Sequence, residues 1–176
     1  WNGKRRGGGT FTGHTIARAI VAAGYQFSAI WMVEDISARR AAEHEVANLT
    51  TFLQATIDHI PDPIFYKGPD LRFLGCNRAN EEAFGIKRAD IVGKTVLEVE
   101  FLPQAERLRF HEEQDHQLIE GNTVRREVAV PFADGKIHQM LYSAGAFRGA
   151  DGEPSGLVGV LVDISALKES EAALAV

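Results

Sequence analysis

The chain predicts an α+β fold: one antiparallel sheet with helices over one face, preceded by a β-hairpin and a connecting helix. Three observations predict it. Short runs rich in β-branched and aromatic residues, bounded by Gly, Pro and Asp, read as strands. Several short helical patterns fall between the second and third of five such runs, so they must cover one face of the sheet they interrupt. Finally, a strand that ends in Asp-Ile-Ser and runs into a charged helix occurs twice, as SAIWMVEDIS at 28–37 and GLVGVLVDIS at 156–165. That spacing suits a small domain and is too long for a solenoid repeat.

In chain order, WNGKRRGGG at 1–9 reads as a turn or frayed terminus, since it lacks the phosphate-loop pattern. Residues 11–21 and 25–34 read as a hairpin turning at Ala22-Ala23-Gly24. From Ala38 a helical pattern runs to residue 60. Ala42, Val46, Leu49, Leu53, Thr56 and Ile60 alternate steps of four and three, a heptad seam with one polar member. It is either an amphipathic helix on its own domain or a dimerising connector, and the connector is favoured. Pro61 and Pro63 stop it.

Residues 64–66 and 71–75 form a hairpin around Gly68-Pro69-Asp70. Helices follow at 77–84, 87–92 and 103–119, closed by Gly85, Gly93 and Gly121. Strands at 124–132, 136–147 and 156–163 turn at Ala133-Asp134-Gly135 and at 149–152. Ser165 caps the last helix. The chain divides into a hairpin at 1–37, a connector at 38–60, a complete domain at 61–165 and an exit helix from 166 to 176.

Of 176 residues, 45% are hydrophobic and 24% charged, a globular composition. The net charge of −5 argues against a nucleic-acid surface. One cysteine excludes an internal disulfide and a cysteine zinc site. No apolar run reaches membrane-spanning length, and no signal peptide is expected. The expected location is the cytoplasm. A first residue of Trp suggests a segment of a longer protein, which leaves a membrane anchor elsewhere open.

IPDPIFYKGPDLRFLGCNRANEEAFGIKRADIVGKTV, a helix ending in LIEG, FADGK and GLVGVLVDIS together resemble a PAS domain over residues 49–165. Residues 10–37 resemble the last two strands of another PAS domain, with GGGTF matching the DGKI turn and EDIS matching VDIS. The resemblance implies a five-stranded sheet of order 2-1-5-4-3. It also implies a bacterial signalling role, in arrays upstream of histidine kinase or diguanylate cyclase domains with their phosphorelays. The chain itself is expected to be non-catalytic. Glu112, Glu113, Asp115 and Glu120 read as a solvated helix face, and no triad or metal-ligand spacing stands out.

PAS domains hold haem, flavin, a metabolite or nothing. Flavin photoreceptors of the family need a cysteine where VLEVEF at 96–101 has none, and Cys76 reads as a small buried apolar residue. His111 and His116 lie five residues apart, roughly 140° around a helix, so both cannot face a pocket. Phe110 stands at the haem-ligand position. Neither haem nor flavin is expected. His59 is read as meeting the last carbonyls of its helix.

A small-metabolite pocket would be lined by Phe65, Phe73, Phe84, Ile91, Phe101, Leu108, Val128, Val130, Met140 and Tyr142, with His138 and Tyr142 as its orienting polar members. These residues equally describe a filled core, and both readings stand. The family pairs the exit Asp with a base near the next helix. Asp163, Ser165 and Lys168 form that candidate latch, with Asp35 and Arg39 as the earlier copy. A homodimer through the connector and hairpin is expected, because Ile16, Ile20, Phe27, Ile30, Trp31 and Val33 would otherwise be exposed.

Overall fold

Hydrophobic alternation and glycine punctuation build two sheets. The computed structural model describes residues 1–21 and 27–174, with backbone alone at 17–21 and 27–30. It divides into two compact units, Trp1–Leu53 and Gln54–Val176.

In the first unit, β1 (Asn2–Lys4), β2 (Thr10–Val21) and β3 (Phe27–Asp35) form an antiparallel sheet in that order. The turn expected within 1–9 is present at 5–9, where the Arg5 amide donates to the Gly9 carbonyl, but residues 2–4 form a strand: Gly3 pairs with Phe11, and Trp1 packs edge-on against the Phe11 ring at 5.4 Å. Trp1, just before the strand, and Phe11, opposite its central Gly3, pack over this short strand. The Ala22-Ala23-Gly24 turn lies outside the described residues, as do the side chains of Ile20, Phe27 and Ile30. Ile16 pairs with Met32 across β2 and β3, and Trp31 and Val33 alternate to the other face. All four are more than half exposed.

Helix α1 (Ser37–Asp58) follows, with no buried residue. Its side chains at Val46, Leu49 and Leu53 are exposed, and His59 Nδ1 meets the Ala55 carbonyl at 2.6 Å.

The second unit carries β4 (Ile64–Lys67), β5 (Phe73–Cys76), β6 (Thr123–Pro131), β7 (Ile137–Arg148) and β8 (Pro154–Asp163). They order as β5-β4-β8-β7-β6, all antiparallel, the 2-1-5-4-3 arrangement that the resemblance implies. Between β5 and β6 run α2 (Arg78–Phe84), α3 (Arg88–Ile91), a 3₁₀ turn at Val96–Glu98 and α4 (Gln104–Glu120). Helix α5 (Ser165–Leu174) leaves the domain.

Local chemistry fixes these ends. Asn77 caps α2 by accepting from the Asn80 amide at 3.0 Å. Thr95 and Glu98 close a capping box around the 3₁₀ turn. Gly121 ends α4 at φ 69°, a left-handed position that suits glycine, and donates to the Gln117 carbonyl. Gly159 stays bare because the Phe65 ring covers it; a Cβ there would meet that ring at 2.2 Å.

The core lies between the sheet and the inner helices. Phe65 stacks on Tyr142, Phe73 meets Phe65 edge-on, and Phe110 meets Tyr142 edge-on at 5.1 Å. Each such buried side chain contributes roughly 1.5–3 kcal/mol. Cys76 is fully buried, and burial pushes its thiol up to about 11, so it packs as a small apolar residue.

Candidate functional site

Alternation along β4 turns Phe65 and Lys67 to the same face, and β7 supplies Tyr142 beside them. Helix α4 lies above and brings Phe110 and Gln114, one turn apart, onto them. A cavity of about 40 Å³ remains, walled also by Phe73, Phe84, Phe101 and Val130. Phe65, Phe73, Phe84, Phe101, Val130 and Tyr142 are therefore brought together as expected.

Ile91, Val128 and Met140 are buried in the surrounding core and do not line the cavity. Leu108 is corrected outright, being 48% exposed. Two residues from Phe110 is roughly 200° around a helix, so the two cannot share a face. His138 also lies elsewhere: it stacks on Phe132 at 4.3 Å beside Asp134 and Asp163.

The cavity holds polar groups that sequence reasoning missed. Lys67 is fully buried, and its Nζ donates to Gln114 Oε1 at 2.6 Å. Gln114 Nε2 donates to the Tyr142 hydroxyl at 3.1 Å. Burial pushes the Lys67 ammonium down to about 7 and the Tyr142 hydroxyl well above its usual range. The signal was present in both elements. Lys67 stands two residues from Phe65 in a strand, and Gln114 four residues after Phe110 in a helix.

The expectation of a wholly solvated acidic face on α4 also changes. Glu113 takes a two-pronged ion pair from Arg126, at 2.8 to 3.1 Å, and that guanidinium lies over the Phe110 and Tyr142 rings. Arg126 thus covers these two rings with its charge already matched by Glu113.

The entry to this unit is pinned by Asn77, fully buried. Its amide donates to the carbonyls of Ile57, Ile60 and Asp62, and its Oδ1 accepts from the Ile64 amide. Asp58 accepts from Arg88 at 2.9 Å, and Gln54 accepts from the Tyr66 hydroxyl at 3.0 Å.

At the exit, Asp163 Oδ1 accepts from the Ser165 amide at 2.8 Å and Oδ2 meets His138 Nδ1 at 2.7 Å. Gln139 of β7 then grips the chain twice: its carbonyl accepts from Ile164 N at 2.8 Å, and its amide donates to Ser165 Oγ at 3.0 Å. The first copy repeats this frame. Ser37 N donates to Asp35, Thr12 O accepts from Ile36 N, and Thr12 N donates to Ser37 Oγ.

The cations differ from expectation in both copies. Lys168 reaches Glu127 at 2.9 Å and leaves Asp163 to His138. Arg39 pairs with Glu43, and Asp35 pairs with Arg5. The carboxylate points back to the sheet to hold the serine amide, so its cation comes from the sheet side and the first strands. His138 is raised by Asp134 and Asp163, and Asp163 is held below its usual value by Ser165 and His138 against its burial.

The PAS fold family's sequence model matches residues 57–169. The virulence sensor protein BvgS of Bordetella bronchiseptica is 24% identical over 140 residues, covering 77% of this chain and 11% of that protein. This chain therefore spans about a tenth of that relative's length. The solved PAS domain of Bordetella pertussis BvgS is similar with a TM-score of 0.61 and 24% identity, covering 72% of this chain and 94% of that one. The Vibrio cholerae VqmA dimer is similar at a TM-score of 0.57 and 21% identity, covering 65% and 53%. Among the described residues no helix is long and apolar enough to cross a membrane.

Proposed function

The chain belongs to the PAS fold family, and from that premise we propose that it is a sensory relay module whose exit helix controls a histidine kinase or diguanylate cyclase output domain. The double grip of Gln139 carries this reading. Three residues along the same strand, Tyr142 faces the cavity, so a change of occupant displaces β7 and with it the first turn of α5. Asp163 and Ser165 complete the grip, whereas Lys168 braces α5 on Glu127 of β6.

In the full-length protein, Asp163→Ala makes output independent of the signal while the domain stays folded. A response left unchanged in that variant removes the latch.

The reading extends to residues 1–37 as the last strands of a preceding PAS domain and to α1 as the connector between the two. The exposed Val46, Leu49 and Leu53 suit a parallel pairing of two α1 helices. The apolar side chains of Ile16, Trp31 and Val33 suit the same dimer. Leu49→Asp with Leu53→Asp yields a monomer by light scattering. A wild-type chain that is monomeric at high concentration removes the connector.

The small cavity volume, about 40 Å³, favours a second reading as a spacer with a filled core. Native mass spectrometry separates the two: extra bound mass supports the sensor, and clean apo protein supports the spacer.

A further inference from the structure

Lys67 is the least expected residue in the molecule. It is fully buried, and its Nζ has one hydrogen-bond acceptor among the described residues, Gln114 Oε1 at 2.6 Å. The Phe73 ring lies 4.2 Å from it and the Phe65 ring 5.6 Å. Burial alone pushes it down to about 7, with no charged neighbour contributing. An ammonium so placed lacks a counter-ion, and a neutral amine leaves donors unused; either state is costly in a dry interior.

The surrounding polar groups do not supply the missing partner. Gln114 is committed at both ends, its oxygen to Lys67 and its nitrogen to Tyr142. Tyr142 accepts there, which leaves its hydroxyl proton to give. The cavity therefore presents donors from two side chains and no free carboxylate. Its walls are otherwise aromatic and aliphatic apart from the buried Asn80 amide, with Phe110 closing one side. At ~10–15 Å³ per water-sized site, its volume of about 40 Å³ admits roughly three or four heavy atoms before any side chain moves.

We propose that this cavity binds a small organic monoanion, a short-chain carboxylate with an apolar tail, whose oxygens take the Lys67 amine and the Tyr142 hydroxyl. The carboxylate provides the charge that the amine lacks, and the tail lies against Phe65, Phe73 and Phe110. Such an occupant touches β4, β7 and α4 at once. The proposal rests on the relay reading only for its consequence, that this anion is the signal.

The test uses the whole chain, dialysed free of carboxylates, with acetate, propionate and pyruvate as probes in isothermal titration and amide NMR at pH 6.5. Acetamide and propionamide serve as neutral counterparts. The expected result is saturable one-site binding of at least one carboxylate, at least tenfold tighter than its amide. Binding falls at least tenfold in Lys67→Met and severalfold in Tyr142→Phe, with shifts centred on β4, β7 and α4. Should Lys67→Met not fold, Tyr142→Phe decides.

Absence of binding by all three carboxylates overturns the proposal. So does equal affinity for the amides, or affinity unchanged in the variants. These outcomes leave the exit grip untouched. Conversely, carboxylate binding together with an Asp163→Ala protein that still responds to its signal sinks the relay and keeps the site.

Discussion

One cation stands at the end of β4 and another at the start of β7, and they are shifted for opposite reasons. Lys67 sits inside, without an acid, and burial pushes it down to about 7. His138 sits at the sheet's end between Asp134 and Asp163, which together raise it. One cation is destabilised by its surroundings and the other is stabilised. The inner one lines the core cavity, and the outer one contacts the Asp163 carboxylate that holds the Ser165 amide. The earlier exit motif sharpens the contrast. It repeats the Asp-Ile-Ser frame but offers Asp35 an arginine rather than a histidine. The backbone frame thus belongs to the motif, while the titrating partner belongs to the strand beside it.

Breaking the inner cation has the largest expected effect. Between about 7 and the ordinary lysine value of 10.5, the unfolded chain binds a proton that folded Lys67 does not. Stability from this group therefore falls as pH drops through that window and is level below it. At 1.36 kcal/mol per unit the penalty at pH 7 reaches about 4 kcal/mol. Lys67→Met removes it but leaves Gln114 Oε1 unpaired, which costs about 1–2 kcal/mol. The variant of the ligand-free chain is expected to be about 2 kcal/mol more stable at pH 7 and no more stable than wild type at pH 10. Urea midpoints followed by β7 amide signals measure this in the second unit alone. An equal effect at both pH values would show that Lys67 is not held out of its charged state by the fold.

Which parts of this were legible in the sequence follows from which rules are local. Element boundaries and the helices over the sheet were readable because Gly85, Gly121 and Gly135 punctuate the chain and Asp-Ile-Ser marks both exits, whereas the strand order came only from the resemblance. The aromatic walls were readable because alternation puts Phe65 and Phe73 inward. Lys67 was not, because lysine at a strand end is ordinarily solvated, and it is kept dry by the Phe65 and Phe73 rings together with the α4 residues packed over it. Gln114 was missed for the same reason on a helix of low hydrophobicity. Leu108 was chosen for its apolar side chain when the helical step from Phe110 already excluded it. His138 was correctly assigned to the face of Met140 and Tyr142. Its distance from the cavity follows from the turn at Asp134, whose carboxylate draws it to the rim. The short β1 strand was hidden because its pairing depends on Trp1 meeting Phe11, a contact no propensity encodes.

The outer cation gives the smaller effect and the finer test. His138 Nε2 lies 3.0 Å from Asp134 Oδ2, and its Nδ1 lies 2.7 Å from Asp163 Oδ2, with the Phe132 ring stacked on one face and Lys136 acting on Asp134 from the same turn. Asp134 is the larger cause of its upward shift and Asp163 the next. A base whose folded value exceeds its unfolded value contributes stability below the unfolded value, and loses it as pH rises through the folded one. The charged contact in the exit grip is thus complete at mildly acid pH and fades on the alkaline side of 6.5. An NMR titration of the ring protons is expected to place His138 above that ordinary value. Asp134→Asn lowers it most, Asp163→Asn lowers it less, and Lys168→Ala leaves it unchanged because Lys168 is engaged with Glu127 and Glu171. The amide of Ser165 should follow the same titration, since it donates to the other oxygen of Asp163. At the earlier exit, the amide of Ser37 should show no step there, because the partner of Asp35 is an arginine rather than a histidine. A His138 value unmoved by both substitutions would detach it from the grip and leave the two exits electrostatically alike.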